Sequence, residues 1–255
     1  MRFQATGFGM LVSVGMLVAA GCDLHRGAAQ AEIDKGVAAS KAGDFDLAPS
    51  CFTAAIGHDR SSAEALSRRA WIQSGNKHYD EAISDASEAI RIDSKCWRAY
   101  AARGRAYEFS ESHTDPSSDY DAAVELSPPD EYRALAERGR YHLWQKQWKE
   151  ALRDFNAAVA RGDDRVYVFK LRGEAFAGSG EPEKGLADFT RACATGHDGD
   201  KLLCRLSHYG RGQCLMKLHR DKEAEDAFDL AGMTDPAFKR TRPAPSMLPD
   251  PAITP

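Results

Sequence analysis

The chain has 255 residues, a formal net charge of −4 and 28% charged residues. This balance contains no basic excess, so we expect no nucleic-acid partner. Alanine, arginine and acidic residues are plentiful and long β-branched runs are few, which favours α-helices.

The first 21 residues are predicted to be a signal peptide. Arg2 gives a weakly positive start, and residues 7–20 form an apolar run that is too short to cross roughly 30 Å of hydrocarbon as a helix. A run of this length suits the h-region of a secretory signal. It ends in Val18-Ala-Ala-Gly-Cys22, which resembles a bacterial lipobox.

The lipobox resemblance implies that Cys22 becomes the lipidated, palmitate-bearing N-terminus of a protein on the periplasmic side of the bacterial cell envelope. Asp23 resembles the inner-membrane retention signal of enteric bacteria, but the choice between inner and outer membrane stays open. The alternative is cleavage after Ala20, which would release a soluble periplasmic protein. Residues 22–28 are expected to be a short tether.

From residue 29 onward the sequence repeats with a period near 34 residues. Small residues recur early in each repeat and again near its end, and an aromatic residue recurs between them. Small residues let two helices approach, aromatic rings fill the gaps, and stacked hairpins bury the apolar faces. The early small residues are Gly36, Ala70, Gly104, Gly139, Gly173 and Gly212, and the aromatic residues are Phe52, Tyr120, Phe155, Phe189 and Phe228.

This pattern resembles the tetratricopeptide repeat (TPR) family. The resemblance implies an all-α fold, a right-handed α-solenoid of about six antiparallel helix-turn-helix hairpins that spans residues 29–238. A Pro-rich tail over 239–255 is predicted to be disordered. The repeats are placed near 29–62, 63–96, 97–130, 132–165, 166–199 and 205–238.

Three departures from the repeat pattern carry structural predictions. Pro49 falls in the first turn of a second helix, where proline is tolerated because first-turn N–H groups have no helical partner. Pro116 predicts a longer turn and a later helix start in the third repeat. Residues 200–204 are an insertion before the sixth repeat.

An arginine recurs in step with an aspartate 16 residues later. We predict a structural ion pair in each of these hairpins, because a guanidinium can bind a carboxylate at two points. A row of arginines that grips an acidic ligand is disfavoured, because the aspartate recurs with the arginine. The predicted pairs are Arg69–Asp85, Arg103–Asp119, Arg138–Asp154 and Arg172–Asp188.

In the TPR family the first helix of each hairpin lines a concave groove that binds peptides or partner helices. The residues at those positions here are basic with interleaved aromatics, which predicts a protein or peptide ligand with acidic or carboxylate groups and apolar anchors. The alternative is a set of solvated charges and ordinary amphipathic aromatics. The predicted groove residues are Trp71, Arg98, Arg105, Phe109, Arg133, Arg140, Trp144, Tyr167 and Lys170.

Cys193 and Cys204 lie on either side of the turn between the last two repeats. An oxidising periplasm permits a disulfide between them, and such a bridge is similar to those of cysteine-rich Sel1-like relatives. Zinc at Cys193/His197 and Cys204/His208 is disfavoured, because two glycines interrupt the first pair.

The sequence contains no nucleophile elbow, phosphate loop or dinucleotide fingerprint. We therefore expect no enzymatic activity, no cofactor and no metal. The favoured interpretation is a membrane-anchored adaptor or scaffold that binds protein partners in envelope assembly or secretion. The alternative is a self-assembling structural repeat protein that forms homo-oligomers through its end faces.

Overall fold

The computed structural model describes residues 8–44, 46–111, 114–194 and 201–232, with side chains from residue 25 onward except at Lys201. The described residues form twelve α-helices and no strand, so the predicted all-α class is confirmed. The helices are α1 (Phe8–Lys41), α2 (Leu47–His58), α3 (Ala63–Gly75), α4 (Tyr79–Ile92), α5 (Trp97–Phe109), α6 (Ser117–Leu126), α7 (Arg133–Trp144), α8 (Trp148–Ala160), α9 (Val166–Ser179), α10 (Pro182–Ala194), α11 (Lys201–Lys217) and α12 (Asp221–Leu230).

Consecutive helices pair as hairpins along the predicted repeats. The later part of α1 packs on α2, and the pairs α3/α4, α7/α8, α9/α10 and α11/α12 follow. Side-chain hydrogen bonds join α5 to α6. The chain divides into two compact units, one ending at Asp119 and the other beginning at Tyr120.

The ends of the predicted array differ from the expectations. Helix α1 runs through residues 22–28, so this stretch is helical rather than an irregular tether. No helix in the described ranges is both long and apolar enough to cross a membrane. The predicted tail over 239–255 and the end of the sixth repeat lie outside the described residues.

The three sequence departures are accommodated in different ways. Pro49 lies in the first turn of α2. Helix α6 begins at Ser117, directly after Pro116, in agreement with a later helix start. Helix α11 begins at Lys201, so residues 201–204 of the insertion are part of this helix, and residue 200 lies outside the described residues.

A small residue facing an aromatic ring sets the spacing of the helices within the hairpins. A Cβ added at Gly139 would lie 2.9 Å from Phe155 Cε1, which leaves room for glycine only. Phe155 is fully buried. The same contact recurs at Gly36–Phe52, Gly173–Phe189 and Gly212–Phe228, so these hairpins share one packing register.

The turn between the two helices also recurs. In several hairpins a residue one or two positions after the first helix has a left-handed backbone, and the next N–H bonds to a carbonyl five residues back, as in a Schellman motif. This conformation costs a non-glycine residue about 1–2 kcal/mol. It places both helices in the same register each time. The residues with positive φ in these turns are Gly43, Lys77, Lys146, Gly180 and His219.

Candidate partner-binding faces

Four arginines each join the two helices of their own hairpin through a recurring ion pair. Each donates from Nε and Nη2 to both oxygens of one aspartate, at 2.7–2.8 Å. The carboxylates are mostly buried, with Asp154 only 3% exposed. Hydrogen bonding to Asp154 raises the pKa of Arg138, against the opposing effect of burial. The pairs are Arg69–Asp85, Arg103–Asp119, Arg138–Asp154 and Arg172–Asp188.

The remaining nitrogen, Nη1, binds a polar side chain that sequence reasoning missed. It donates to the second helix of the preceding repeat, at distances from 3.0 to 3.5 Å. The sequence contains a pattern that could have predicted this contact, because a short polar residue precedes each arginine by 16 or 17 positions. With all three donor groups engaged, these arginines are structural. The acceptors are Thr53, Ser87, Asp121 and Asn156.

A cavity of about 110 Å³ lies beside the Arg138–Asp154 pair. Its walls carry charged or titratable groups of both signs, whereas small-molecule sites are mostly apolar. We therefore assign this cavity to the ion-pair network. It is lined by Asp121, Arg138, His142, Glu150, Arg153 and Asp154.

In the first unit, the predicted groove residues form stacked pairs. The Arg105 guanidinium lies over the Trp71 ring, 4.9 Å from its centroid, and Arg105 is only 3% exposed. The Arg98 guanidinium lies over the neighbouring Trp97 at 4.5 Å and stays partly exposed. The ring of Phe109 stacks on Tyr79 from α4.

In the second unit, Arg140 lies beneath an exposed tryptophan. Its guanidinium lies 4.6 Å from the centroid of the Trp144 ring. Arg140 Nε donates to Glu137 at 3.1 Å, and Nη2 donates to the Tyr120 hydroxyl at 2.9 Å. Arg140 is completely buried, whereas Trp144 is 43% exposed. The arginine thus fixes the tryptophan from below.

The other predicted groove residues of this unit are partly or fully covered. Lys170 is 7% exposed and forms a 3.0 Å ion pair with Glu174 on the same helix. Tyr167 is half-buried against the α7/α8 core. Arg133 stays partly exposed and lies over the Tyr132 ring.

The prediction that Arg105, Arg140 and Lys170 face a partner directly is therefore wrong. All three are buried. The two arginines stack against tryptophan rings, and the charges of Arg140 and Lys170 are balanced by glutamates of their own helices. Stacking and ion pairing compensate the cost of burying a cation. Trp144 is the exposed aromatic on this face.

The cysteines predicted to form a disulfide are both free thiols in the structure. Cys193 Sγ lies 3.5 Å from Nδ1 of His208, which is one helical turn beyond Cys204. Burial, with a smaller contribution from Cys204, raises the pKa of Cys193 to about 11. Among the residues with described side chains, no group of three suits a metal ion. The bridge remains a prediction.

We expect a disulfide donor to join Cys193 and Cys204 when the chain is made in an oxidising compartment. The Cys193 thiol is protonated at neutral pH, so direct alkylation there is slow and exchange with a donor is needed. Intact-mass spectrometry after alkylation, with and without reductant, measures this. A Cys204→Ser variant controls for reagent access. Alkylation of Cys193 in the unreduced native chain would contradict the bridge.

Comparisons with known proteins agree with this architecture. The tetratricopeptide repeat profile matches residues 33–95. Human DnaJ homolog subfamily C member 7 is 25% identical over 143 residues, which cover 54% of this chain and 29% of the human protein. This chain therefore spans less than a third of that relative's length.

Two solved structures share the fold over most of this chain. YrrB, described as a TPR protein with an unusual peptide-binding site, is 19% identical, with a TM-score of 0.55 over 74% of this chain and 94% of its own. PilW, described as a type IV pilus biogenesis factor, is 16% identical, with a TM-score of 0.61 over 83% of this chain and 97% of its own. Together with the repeated hairpins, these matches show a tetratricopeptide repeat fold, and the profile match identifies tetratricopeptide repeat sequence in residues 33–95.

Proposed function

We propose that this chain is a lipid-anchored scaffold of the bacterial cell envelope, where it binds a protein partner in assembly or secretion. The TPR fold supports the general role, because it serves protein–protein interaction. The lipobox-like sequence before Cys22 supports the anchor. PilW is a type IV pilus biogenesis factor, and its likeness in fold supports an envelope process for this chain as well.

Trp144 is the observation that supports partner binding by the second unit. Tryptophan is enriched among residues that dominate binding energy. The position of Trp144 is fixed by Arg140, which is held in turn by Glu137 and Tyr120. A side chain that is already ordered loses less conformational entropy on binding. We therefore assign Trp144 as an anchor for an apolar group of the partner.

The acidic character proposed for the partner now depends on Arg133. Arg133 lies three helical turns before Trp144 on α7, so both belong to one face of the helix. Unlike Arg140, it remains partly exposed. A carboxylate on the partner would reach Arg133 while an apolar group contacts Trp144.

We expect a photoreactive amino acid placed at position 144 to capture a partner protein in cells. The same reagent at position 230 is the matched control, because Leu230 is 61% exposed but lies on the second helix of its hairpin. Gel shift and mass spectrometry identify the adducts. Equal capture of the same protein at both positions would contradict a first-helix binding face.

Self-association is a second candidate with an observation of its own. Leu202, Met216 and Leu230 are 37%, 49% and 61% exposed, and all lie in the last hairpin. Exposed apolar surface of this kind marks interaction sites when it is contiguous. In the crosslinking experiment, this alternative predicts an adduct of twice the chain mass from position 230 and no distinct partner from position 144.

The anchor is tested at Cys22. We expect the native chain to incorporate a labelled fatty acid and to sediment with membranes, because buried acyl carbons each contribute about 0.8 kcal/mol to membrane binding. Cys22→Ser should lose the label and become soluble, whereas Cys96→Ser should keep both properties. Equal solubility of the native chain and Cys22→Ser would favour cleavage after Ala20 instead.

A further inference from the structure

The sixth hairpin keeps the recurring arginine but lacks its aspartate. Arg211 occupies the position of the four paired arginines, and Ala227 stands 16 residues later, where the hairpins of those four arginines have an aspartate. Ala227 is 1% exposed. The place of the missing carboxylate therefore adjoins a buried methyl group.

The packing register shows that Arg211 faces Ala227. A Cβ added at Gly212 would lie 2.6 Å from Phe228 Cε1, the same contact that Gly139 makes with Phe155. In the fourth hairpin, the residues directly before that glycine and phenylalanine are the paired Arg138 and Asp154. The corresponding residues of the sixth hairpin are Arg211 and Ala227.

Arg211 has an unsatisfied donor at this place. Its Nε is buried and has no hydrogen-bond acceptor in the part of the chain that the structure describes. A buried donor without an acceptor is costly, and such groups are rare in native proteins. In the four complete hairpins the same nitrogen donates to a carboxylate at 2.7–2.8 Å.

The nearby acidic group is already engaged. The positive charge of Arg211 contributes to lowering the pKa of Glu223, but hydrogen bonding to Arg220 is the main cause. Arg220 holds both Glu223 oxygens at 2.6–2.7 Å. Asp226 precedes Ala227 by one position and points elsewhere on the helix, about 100° away.

We propose that Arg211 is a carboxylate-binding site, in which Nε and Nη2 take the two oxygens of a carboxylate supplied from outside this hairpin. The four complete hairpins show the geometry, and a guanidinium binds carboxylates at two points. The carboxylate comes either from another protein or from the chain beyond residue 232, where Asp235 and Asp250 lie. Both sources share one chemistry.

The test uses acetate as the probe and the full chain as the protein. The ¹⁵Nε–H resonance of Arg211 is followed by NMR, with chloride at equal ionic strength as the reference. We expect a saturable shift at Arg211 and none at Arg172, whose Nε already binds Asp188. Ala227→Asp should abolish the shift by supplying an internal carboxylate. Ala227→Leu should also abolish it, by filling the space without charge.

A second variant distinguishes the two sources. If Asp235 or Asp250 already occupies the site, acetate shifts the Arg211 resonance only in the Asp235→Asn, Asp250→Asn double variant. If the ligand is external, the native chain responds as well. Absence of a shift in both the native chain and the double variant would contradict the proposed site. An undiminished shift in Ala227→Asp and Ala227→Leu would also contradict it.

Discussion

Replacement of Asp154 by alanine is expected to lower the free energy of unfolding by about 3–5 kcal/mol. Asp154 is 3% exposed and receives both parallel hydrogen bonds of Arg138, which is itself 12% exposed. Removal of Asp154 leaves the mostly buried Arg138 with only the exposed Asp121 carboxylate as a counter-charge, and breaking a buried pair costs more than the net contribution of the intact pair. Urea denaturation followed by circular dichroism measures the change.

Asp121 supplies the matched control for this variant. It accepts a hydrogen bond from Nη1 of the same arginine at 3.0 Å, but its side chain is 67% exposed. Exposed ion pairs contribute roughly 0–1 kcal/mol, so Asp121→Ala should change stability by no more than that. Similar effects of the two variants would show that burial does not determine the strength of these pairs.

Replacement of Arg140 by alanine should also cost about 3–5 kcal/mol of stability. The change leaves the Glu137 carboxylate, which is 6% exposed, without its partner on α7. Glu137 also contributes to raising the pKa of Arg165, but that side chain is already bound at two points by Asp163. Urea denaturation measures this loss, and tryptophan fluorescence reports the release of Trp144.

Two further variants separate charge from packing at this position. Arg133→Ala, on the same helix but partly exposed, should change stability by less than about 1 kcal/mol. The double variant Arg140→Ala, Glu137→Ala should be more stable than Arg140→Ala alone, because it removes the unpaired carboxylate. A double variant as unstable as the single one would assign the loss to packing against Trp144.

Burial of Arg140 also changes how the binding face is tested. A charge reversal at Arg105 or Arg140 would place a carboxylate at a buried position, so loss of partner binding there would reflect unfolding. Trp144 and Arg133 are accessible on the same helix face. Variants at these two positions therefore report binding without disrupting the ion pairs beneath.

Sequence periodicity alone determined the hairpins, their register and the partners of the four arginines. A helix repeats its faces every 3.6 residues, so residues at fixed spacing in each repeat meet the same neighbours. The spacing of 16 residues between Arg138 and Asp154 thus placed them opposite each other. The later start of α6 followed from Pro116 for an equally local reason.

Only the tertiary structure decided which charged residues are accessible. Spacing placed Arg140 and Trp144 on the first-helix face, but the sequence does not reveal that Arg140 lies beneath the ring and bonds to Tyr120, 20 residues earlier. The unsatisfied Nε of Arg211 likewise required coordinates. Exposure depends on how neighbouring helices cover a side chain. That coverage is a property of packing between helices, which the periodicity of one helix does not encode.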